Sequence, residues 1–266
     1  MSAFAGMTSK AYHCRMRILL AASLTLLLAA CAAAPQRNPL AEWVPSPNFE
    51  ARRPLIIVIH ATEQASAQQS LDTLRSANGK GPVSAHYLIG DDGRLYQLVA
   101  DGDRAWHAGG GRWGTITDLN NASIGIEIDN EVGEPYTEVQ IATLLHLLDD
   151  LTTRLGIPKT QVIGHADLAP TRKRDPGSLF PWQRLAEAGF GRWPQGELQD
   201  PPPGFDPWLA MAAIGYPLQD RAAAVRAFHR HYRGRDDGDD PDVGFDAEDL
   251  RILFALSAQV VSPPAR

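Results

Sequence analysis

His165 and Asp175 lie ten residues apart in Val162-Ile163-Gly164-His165-Ala166-Asp167-Leu168-Ala169-Pro170-Thr171-Arg172-Lys173-Arg174-Asp175-Pro176-Gly177. Gly164, Pro170, Pro176 and Gly177 forbid one long helix across this stretch, so it reads as a rigid, folded-back polar loop. Loops of this kind tend to carry binding and catalytic groups. An imidazole and a carboxylate at the two ends can share a metal ion, and Lys173 beside them can stabilise an anion. A third ligand has to come from elsewhere, and His60, closing the apolar run Leu55-Ile56-Ile57-Val58-Ile59, is a candidate. Two imidazoles, one carboxylate and an open fourth position make a hydrolytic zinc set, in which the metal activates water and polarises a carbonyl. No HExxH spacing ties these residues together. A histidine at a strand end is also readable as a hydrogen-bonded core residue.

The elements that must position these groups follow from periodicity. Leu55–Ile59 is a continuous β-branched run, as in a strand buried on both faces. In Ser123-Ile124-Gly125-Ile126-Glu127-Ile128 the isoleucines alternate, which puts Glu127 on the opposite face with Ser123 and Gly125. Val83–Gly90 and Arg94–Val99 read as a hairpin around Asp91-Asp92-Gly93, and Gln161–Ile163 as a short strand feeding the loop. Ser66-x-x-Gln69 and Thr137-x-x-Gln140 are capping boxes. The first opens a short helix through Leu71 and Leu74. The second opens a longer one with Ile141, Leu144, Leu145, Leu148 and Leu155 along its apolar stripe, ended by Gly156 and Pro158. A short helix follows Phe180-Pro181. Strands alternating with helices imply an α/β (α+β) fold, a mixed central β-sheet flanked by helices.

Trp193-Pro194 through Pro201-Pro202-Pro203-Gly204 marks a boundary. Beyond it, Pro207–Ile214, Asp220–Tyr232 and Ala247–Ala258 read as a small C-terminal three-helix domain, giving a division into 51–197 and 204–262. His146 is expected at the surface and His86 in a structural role. His229 and His231, with Arg226, Arg230 and Arg233, read as a solvated basic face. The acidic run Asp236–Asp242 lacks EF-hand spacing and reads as a solvated loop rather than a calcium site.

The 266 residues are 44% hydrophobic and 21% charged, a globular balance. Residues 1–30 are different. Lys10, Arg15 and Arg17 precede the apolar run Ile18–Leu28, which is too short to span a membrane and reads as a secretory signal peptide. The segment ends Leu28-Ala29-Ala30-Cys31, which resembles the bacterial lipobox, so lipidation at Cys31 and a membrane contact through an N-terminal lipid anchor are expected. Residues 31–50, with Pro35, Pro39, Pro45 and Pro47, read as a tether whose last part, near Trp43 and Phe49, can be ordered. Cleavage would take three basic residues from a chain already at a net charge of −6, which argues against nucleic acid as a partner. The two cysteines, Cys14 and Cys31, both precede the folded part, leaving no disulfide and no thiolate metal site.

Taken together, Ile57-Val58-Ile59-His60, Val83-Ser84-Ala85-His86-Tyr87, Ala105-Trp106-His107-Ala108-Gly109, Ser123-Ile124-Gly125-Ile126-Glu127, and Gly164–Pro170 with Arg172-Lys173-x-Asp175-Pro176-Gly177 resemble the zinc N-acetylmuramoyl-L-alanine amidases of the phage-lysozyme and peptidoglycan-recognition fold. The segments occur in that family's order across residues 51 to 195 and look most like its lipoprotein members and their cytoplasmic relatives. The resemblance implies Zn2+ held by His60, His165 and Asp175, with Glu127 as the catalytic carboxylate and Lys173 assisting at the tetrahedral intermediate. It implies cleavage between N-acetylmuramic acid, the anhydro form included, and L-alanine, with peptidoglycan or muropeptide as partner. His107 lies in a Gly-rich loop that borders substrate in relatives, and is either a substrate contact or a structural histidine. Arg172 can pair bidentately with a stem-peptide carboxylate, and Trp106 can line a sugar subsite. Asp167 is expected to order the loop rather than bind metal. Ala61 departs from relatives, which often carry an aromatic there. The C-terminal helices resemble a peptidoglycan-binding module, and an outer-membrane lipoprotein facing the periplasm is the implied location. The competing reading is a non-catalytic peptidoglycan-recognition lipoprotein.

Overall fold

The structure is a computed structural model that describes residues 37–51, 54–78, 81–131 and 133–261. The expected signal peptide and Cys31 lie outside the described residues. In chain order the elements that matter are β1 (Glu42–Trp43), β2 (Ile56–Ala61), α1 (Ala67–Leu74), β3 (Tyr87–Ile89), β4 (Leu95–Gln97), α2 (Leu119–Ala122), β5 (Ser123–Ile128), α3 (Glu138–Leu155), β6 (Val162–Gly164), α4 (His165–Leu168), α5 (Trp182–Glu187), α6 (Pro207–Ile214), α7 (Arg221–Tyr232) and α8 (Ala247–Val261). The mixed sheet flanked by helices is therefore present.

The sheet runs β1-β4-β3-β5-β2-β6. Only the β3–β4 hairpin pairs antiparallel, over fewer residues than its sequence suggested; the other neighbours are parallel. The central strands are buried on both faces, which explains the unbroken apolar run of β2. Ile57, Ile59, Ile124, Ile126 and Ile128 pack against α3. Helix α3 has the predicted capping box, with Thr137 accepting from the Gln140 N–H, and ends on left-handed Gly156. Its buried face is Ile141, Leu144, Leu147, Leu148 and Leu151. Leu145 and Leu155 are only partly buried, a correction to the expected stripe: Leu145 lies at its margin and Leu155 is the last helical residue.

On the other face, Ile56, Val58 and Ile163 pack with Met211, Ile214, Phe228 and Leu253 from the C-terminal helices. Leu88 packs with Leu71 and Leu74 of α1. His60, Glu127 and Leu88 are in register across β2, β5 and β3 and share that face. That face is thus covered by α1 over β3 and by the C-terminal helices over β2 and β6, and His60 and Glu127 lie in the interval between.

Three expectations change. The tether joins the domain before residue 50: β1 adds a parallel edge strand, and buried Asn38 donates to Asp150 Oδ2 at 2.8 Å. Helix α7 does not present a solvated basic face. His229 and His231 are buried, as is Arg230, because α7 is packed among the sheet, α5 and α8. The acidic run is not merely solvated either: Asp236 pairs with Arg230, Asp239 with Arg174, and Asp237 with His229 and Arg235.

Candidate active site

Strands β2 and β6 are adjacent and parallel, with Gly164 opposite Ile59, so both deliver the residue after their last paired positions to the carboxyl edge of the sheet. There His60 closes on His165, with ring centroids 4.4 Å apart. The loop after α4 folds back through Ala166 N–H donating to Asp175 O at 2.9 Å and Lys173 N–H to Ala169 O at 3.0 Å. Asp175 Oδ2 then lies 3.1 Å from His60 Nδ1 and 3.0 Å from His165 Nδ1. All three residues are buried, and one ligand atom from each falls within 4.8 Å of the others.

His165 Nε2 lies 2.9 Å from the Ala108 carbonyl oxygen. A carbonyl only accepts, so Nε2 carries a proton, and a neutral ring then turns the Nδ1 lone pair toward Asp175. That close approach sets two acceptors against one another. Asp175 Oδ1 is also buried without a hydrogen-bond partner. A cation relieves both, and the cluster can hold a metal ion.

Electrostatics point the same way. Burial, then the neighbouring charge of His165, pushes His60 down to about 4, so its imidazole is neutral at pH 7 as a ligand must be. Burial alone would raise Asp175, but in the metal-free site protonated His165 and His60 rings, donating to it, would hold it well below the usual carboxylate range. Glu127 moves the other way. Burial first, then the Asp175 charge, raises it well above an ordinary carboxyl, against the pull of Lys173. Its Oε2 is buried with no hydrogen-bond partner. A carboxyl so perturbed inside a cleft is suited to carrying a proton.

His60, His165, Asp175, Glu127 and Lys173 line one cleft of about 230 Å³, walled by Trp106 and His107. A groove continues from it past Trp106 and His107 to Asn120 and Arg172. The wall is pinned: His107 and Ala108 N–H both donate to Asn120 Oδ1, at 3.1 and 2.8 Å. Gly111 is required by close approach, since a Cβ there would lie 2.6 Å from Leu168 O. Arg172 Nη2 donates to Ala108 O and Gly110 O, so part of its fork is spent holding this loop. His86 Nδ1 accepts from Gly125 N–H and its Nε2 donates to Asp103 O, a structural arrangement. Buried Asp167 accepts from Gly164 N–H, Tyr216 Oη–H and His231, each at 2.7 Å, and so orders the loop from below.

The family model for N-acetylmuramoyl-L-alanine amidase matches residues 50–178. The N-acetylmuramoyl-L-alanine amidase AmiD of Escherichia coli K12 is 39% identical over 158 residues, covering 53% of this chain and 55% of AmiD. The 1,6-anhydro-N-acetylmuramyl-L-alanine amidase AmpD of Salmonella typhimurium SL1344 is 31% identical over 164 residues, covering 54% of this chain and 88% of AmpD. The solved complex of E. coli AmiD with the substrate anhydro-N-acetylmuramic acid-L-Ala-D-gamma-Glu-L-Lys matches with a TM-score of 0.66 at 31% identity, covering 84% of this chain and 93% of that one. This chain belongs to the N-acetylmuramoyl-L-alanine amidase family. By sequence it spans about half the length of AmiD.

Several groups that build this amidase-family site were not visible in the sequence. The Ala108 carbonyl, Asn120, Ser123, Tyr216 and His231 all act on site residues through contacts that only the fold creates. Ser123 had one signal, its position on the Glu127 face of β5.

The His60 shift carries a pH dependence. The unfolded chain protonates this imidazole near 6.5 and the folded chain only near 4, so between these values the unfolded state binds more protons. Metal-free protein should therefore lose stability as pH falls from 6.5 toward 4, by up to about 3 kcal/mol from this group. Above 6.5 the contribution is complete and flat. Urea melts of metal-stripped protein at pH 7 and pH 4.5 measure it, and His60→Gln should remove this component of the slope.

Proposed function

We propose that the chain is a zinc-dependent N-acetylmuramoyl-L-alanine amidase that hydrolyses the amide between N-acetylmuramic acid, the anhydro form included, and L-alanine in peptidoglycan or muropeptides. The observation that carries this reading is the buried convergence of His60, His165 and Asp175 beside Glu127. Family membership and the anhydromuropeptide in the AmiD complex support it.

The donor set is the nitrogen-and-carboxylate set that suits zinc. When bound, zinc would polarise a carbonyl and make water nucleophilic at neutral pH. His60, His165 and Asp175 are the residues that would hold it. Glu127 Oε2 takes a proton from the attacking water and returns it to the leaving nitrogen, a task matched to its raised proton affinity. The Lys173 ammonium stands in the same cleft to stabilise the anionic oxygen. Trp106 and His107 wall the groove for the sugar, and the remaining donors of Arg172 face a stem-peptide carboxylate. Glu127 and Lys173 favour an enzyme over a module that only recognises peptidoglycan, which needs neither.

The location we propose is the outer membrane, with a lipid on Cys31 and the folded part facing the periplasm; the lipobox-like Leu28-Ala29-Ala30-Cys31 supports it. Among the described residues no helix is long and apolar enough to cross a membrane. Helices α6 to α8 are proposed to add affinity for peptidoglycan.

The test is mass spectrometry of an anhydromuropeptide digest with the zinc-loaded full chain. Free peptides beginning at L-alanine and one zinc per chain are expected. Intact substrate with zinc-loaded protein would turn the reading to recognition without cleavage.

A further inference from the structure

We propose that His107 is a positioning residue for the metal site, which, through Ser123, fixes the proton of His60 on Nε2 and keeps its Nδ1 lone pair turned to the metal; this rests on the metal reading of His60, His165 and Asp175.

Three hydrogen bonds in series set the polarity of the last ring. The Leu119 carbonyl oxygen lies 2.6 Å from Ser123 Oγ. A carbonyl cannot donate, so the single hydroxyl proton of Ser123 is spent there and its oxygen can only accept from His107 Nε2, 3.1 Å away. That places the His107 proton on Nε2 and a lone pair on Nδ1. His107 Nδ1 lies 2.9 Å from His60 Nε2, so His60 must be the donor in that contact. The last ring then has its proton on Nε2 and its lone pair on Nδ1, 3.1 Å from Asp175 Oδ2. For neutral rings each step leaves no other polarity, because the series starts on a backbone carbonyl.

Without this series, the Asp175 carboxylate would draw the His60 proton to Nδ1. A protonated Nδ1 donates to Asp175 and is no longer a ligand, so the pair would close the site against a cation. His165 is protected from the same fate by one direct bond to Ala108 O. His60 has no carbonyl at its Nε2, and His107 with Ser123 supplies one at a distance.

The backbone is shaped for the intermediate ring. A Cβ on Gly125 would lie 2.4 Å from His107 Cγ, so only glycine lets the ring lie flat over β5. The His60 and His107 rings then meet edge to face at 86° with centroids 5.0 Å apart. With both nitrogens engaged inside the protein, His107 offers substrate its ring face rather than a hydrogen bond.

The test uses the full chain and two readouts. One is 15N NMR of the metal-free protein, which reports the nitrogen that carries the His60 proton. The other is zinc affinity by chelator competition. In wild type the proton should be on Nε2. His107→Leu should move it to Nδ1 and weaken zinc by about 10–100-fold, the range for losing the outer partner of a metal-bound histidine. His107→Asn, whose amide oxygen can accept in place of Nδ1, should restore both to near wild type. Ser123→Ala, which leaves the His107 ring in place but unties its proton, should give a mixture of His60 tautomers even if His107→Leu does not fold. A His60 proton that stays on Nε2 in both Ser123→Ala and His107→Leu would overturn the proposal. Wild-type protein that takes up no zinc while the tautomer shifts occur would instead sink the metal reading and leave the proton relay standing.

Discussion

Glu127→Gln should lower kcat for muropeptide hydrolysis by about 10²–10⁴-fold, the range for removing a general acid–base group, with zinc content unchanged. The substitution keeps the shape of the side chain and removes its ability to exchange a proton. Glu127 is on β5, in register with His60, but is not one of the three residues whose ligand atoms converge. Its Oε2 has no hydrogen-bond partner, so the amide breaks no bond made by that oxygen. The loss should therefore appear in kcat with little change in KM, and stability should rise or hold, since a buried carboxyl is exchanged for a neutral group. Zinc analysis beside steady-state kinetics decides it. Full activity with zinc retained would assign the proton transfer to another group.

Asp175→Asn should abolish zinc binding at micromolar metal, a larger loss than the roughly 10–100-fold expected for an outer partner. The carboxylate is the one formal negative charge in the set, and both imidazoles converge on its Oδ2. An amide removes that charge and presents N–H groups to atoms that need a cation. Thermal melts with and without zinc give the readout. A ligand at about a hundred times its Kd stabilises by about 2.7 kcal/mol, so wild type should gain several degrees where the variant gains none. A variant melting that still responds to zinc as wild type does would remove Asp175 from the ligand set.

How much of this was legible in the sequence depends on the range of the contact involved. The Ser66 cap and the Thr137 capping box flagged the starts of α1 and α3, because a cap is settled within four residues. Glu127 was placed on the correct face of β5 by strict alternation. The loop of His165 and Asp175 announced itself through the breakers that bracket it. Bare pattern could not show that His60 meets them, since that depends on the parallel pairing of β2 with β6 across about a hundred residues of chain; the family resemblance supplied it. Helix α7 misled for a related reason. Its histidines and arginines look like a wet face until the carboxylates of Asp167, Asp236, Asp237 and Asp249 arrive from other segments and make their burial tolerable.

Asp167 gives this architecture an evolutionary consequence. The family match ends at residue 178, yet two of the three groups bonded to this buried carboxylate belong to Tyr216 and His231, and the His231 ring stacks on Trp182 at 3.9 Å. What is inherited as a recognisable unit is thus smaller than what is chemically complete. A lineage that discarded or exchanged the C-terminal helices would strand a carboxylate two residues from His165, at a cost of about 1–3 kcal/mol for each missing partner. Recombination at the proline-rich joint near residue 200 is constrained accordingly: any incoming module would have to bring two donors to the underside of the metal loop, whatever polymer it was recruited to bind.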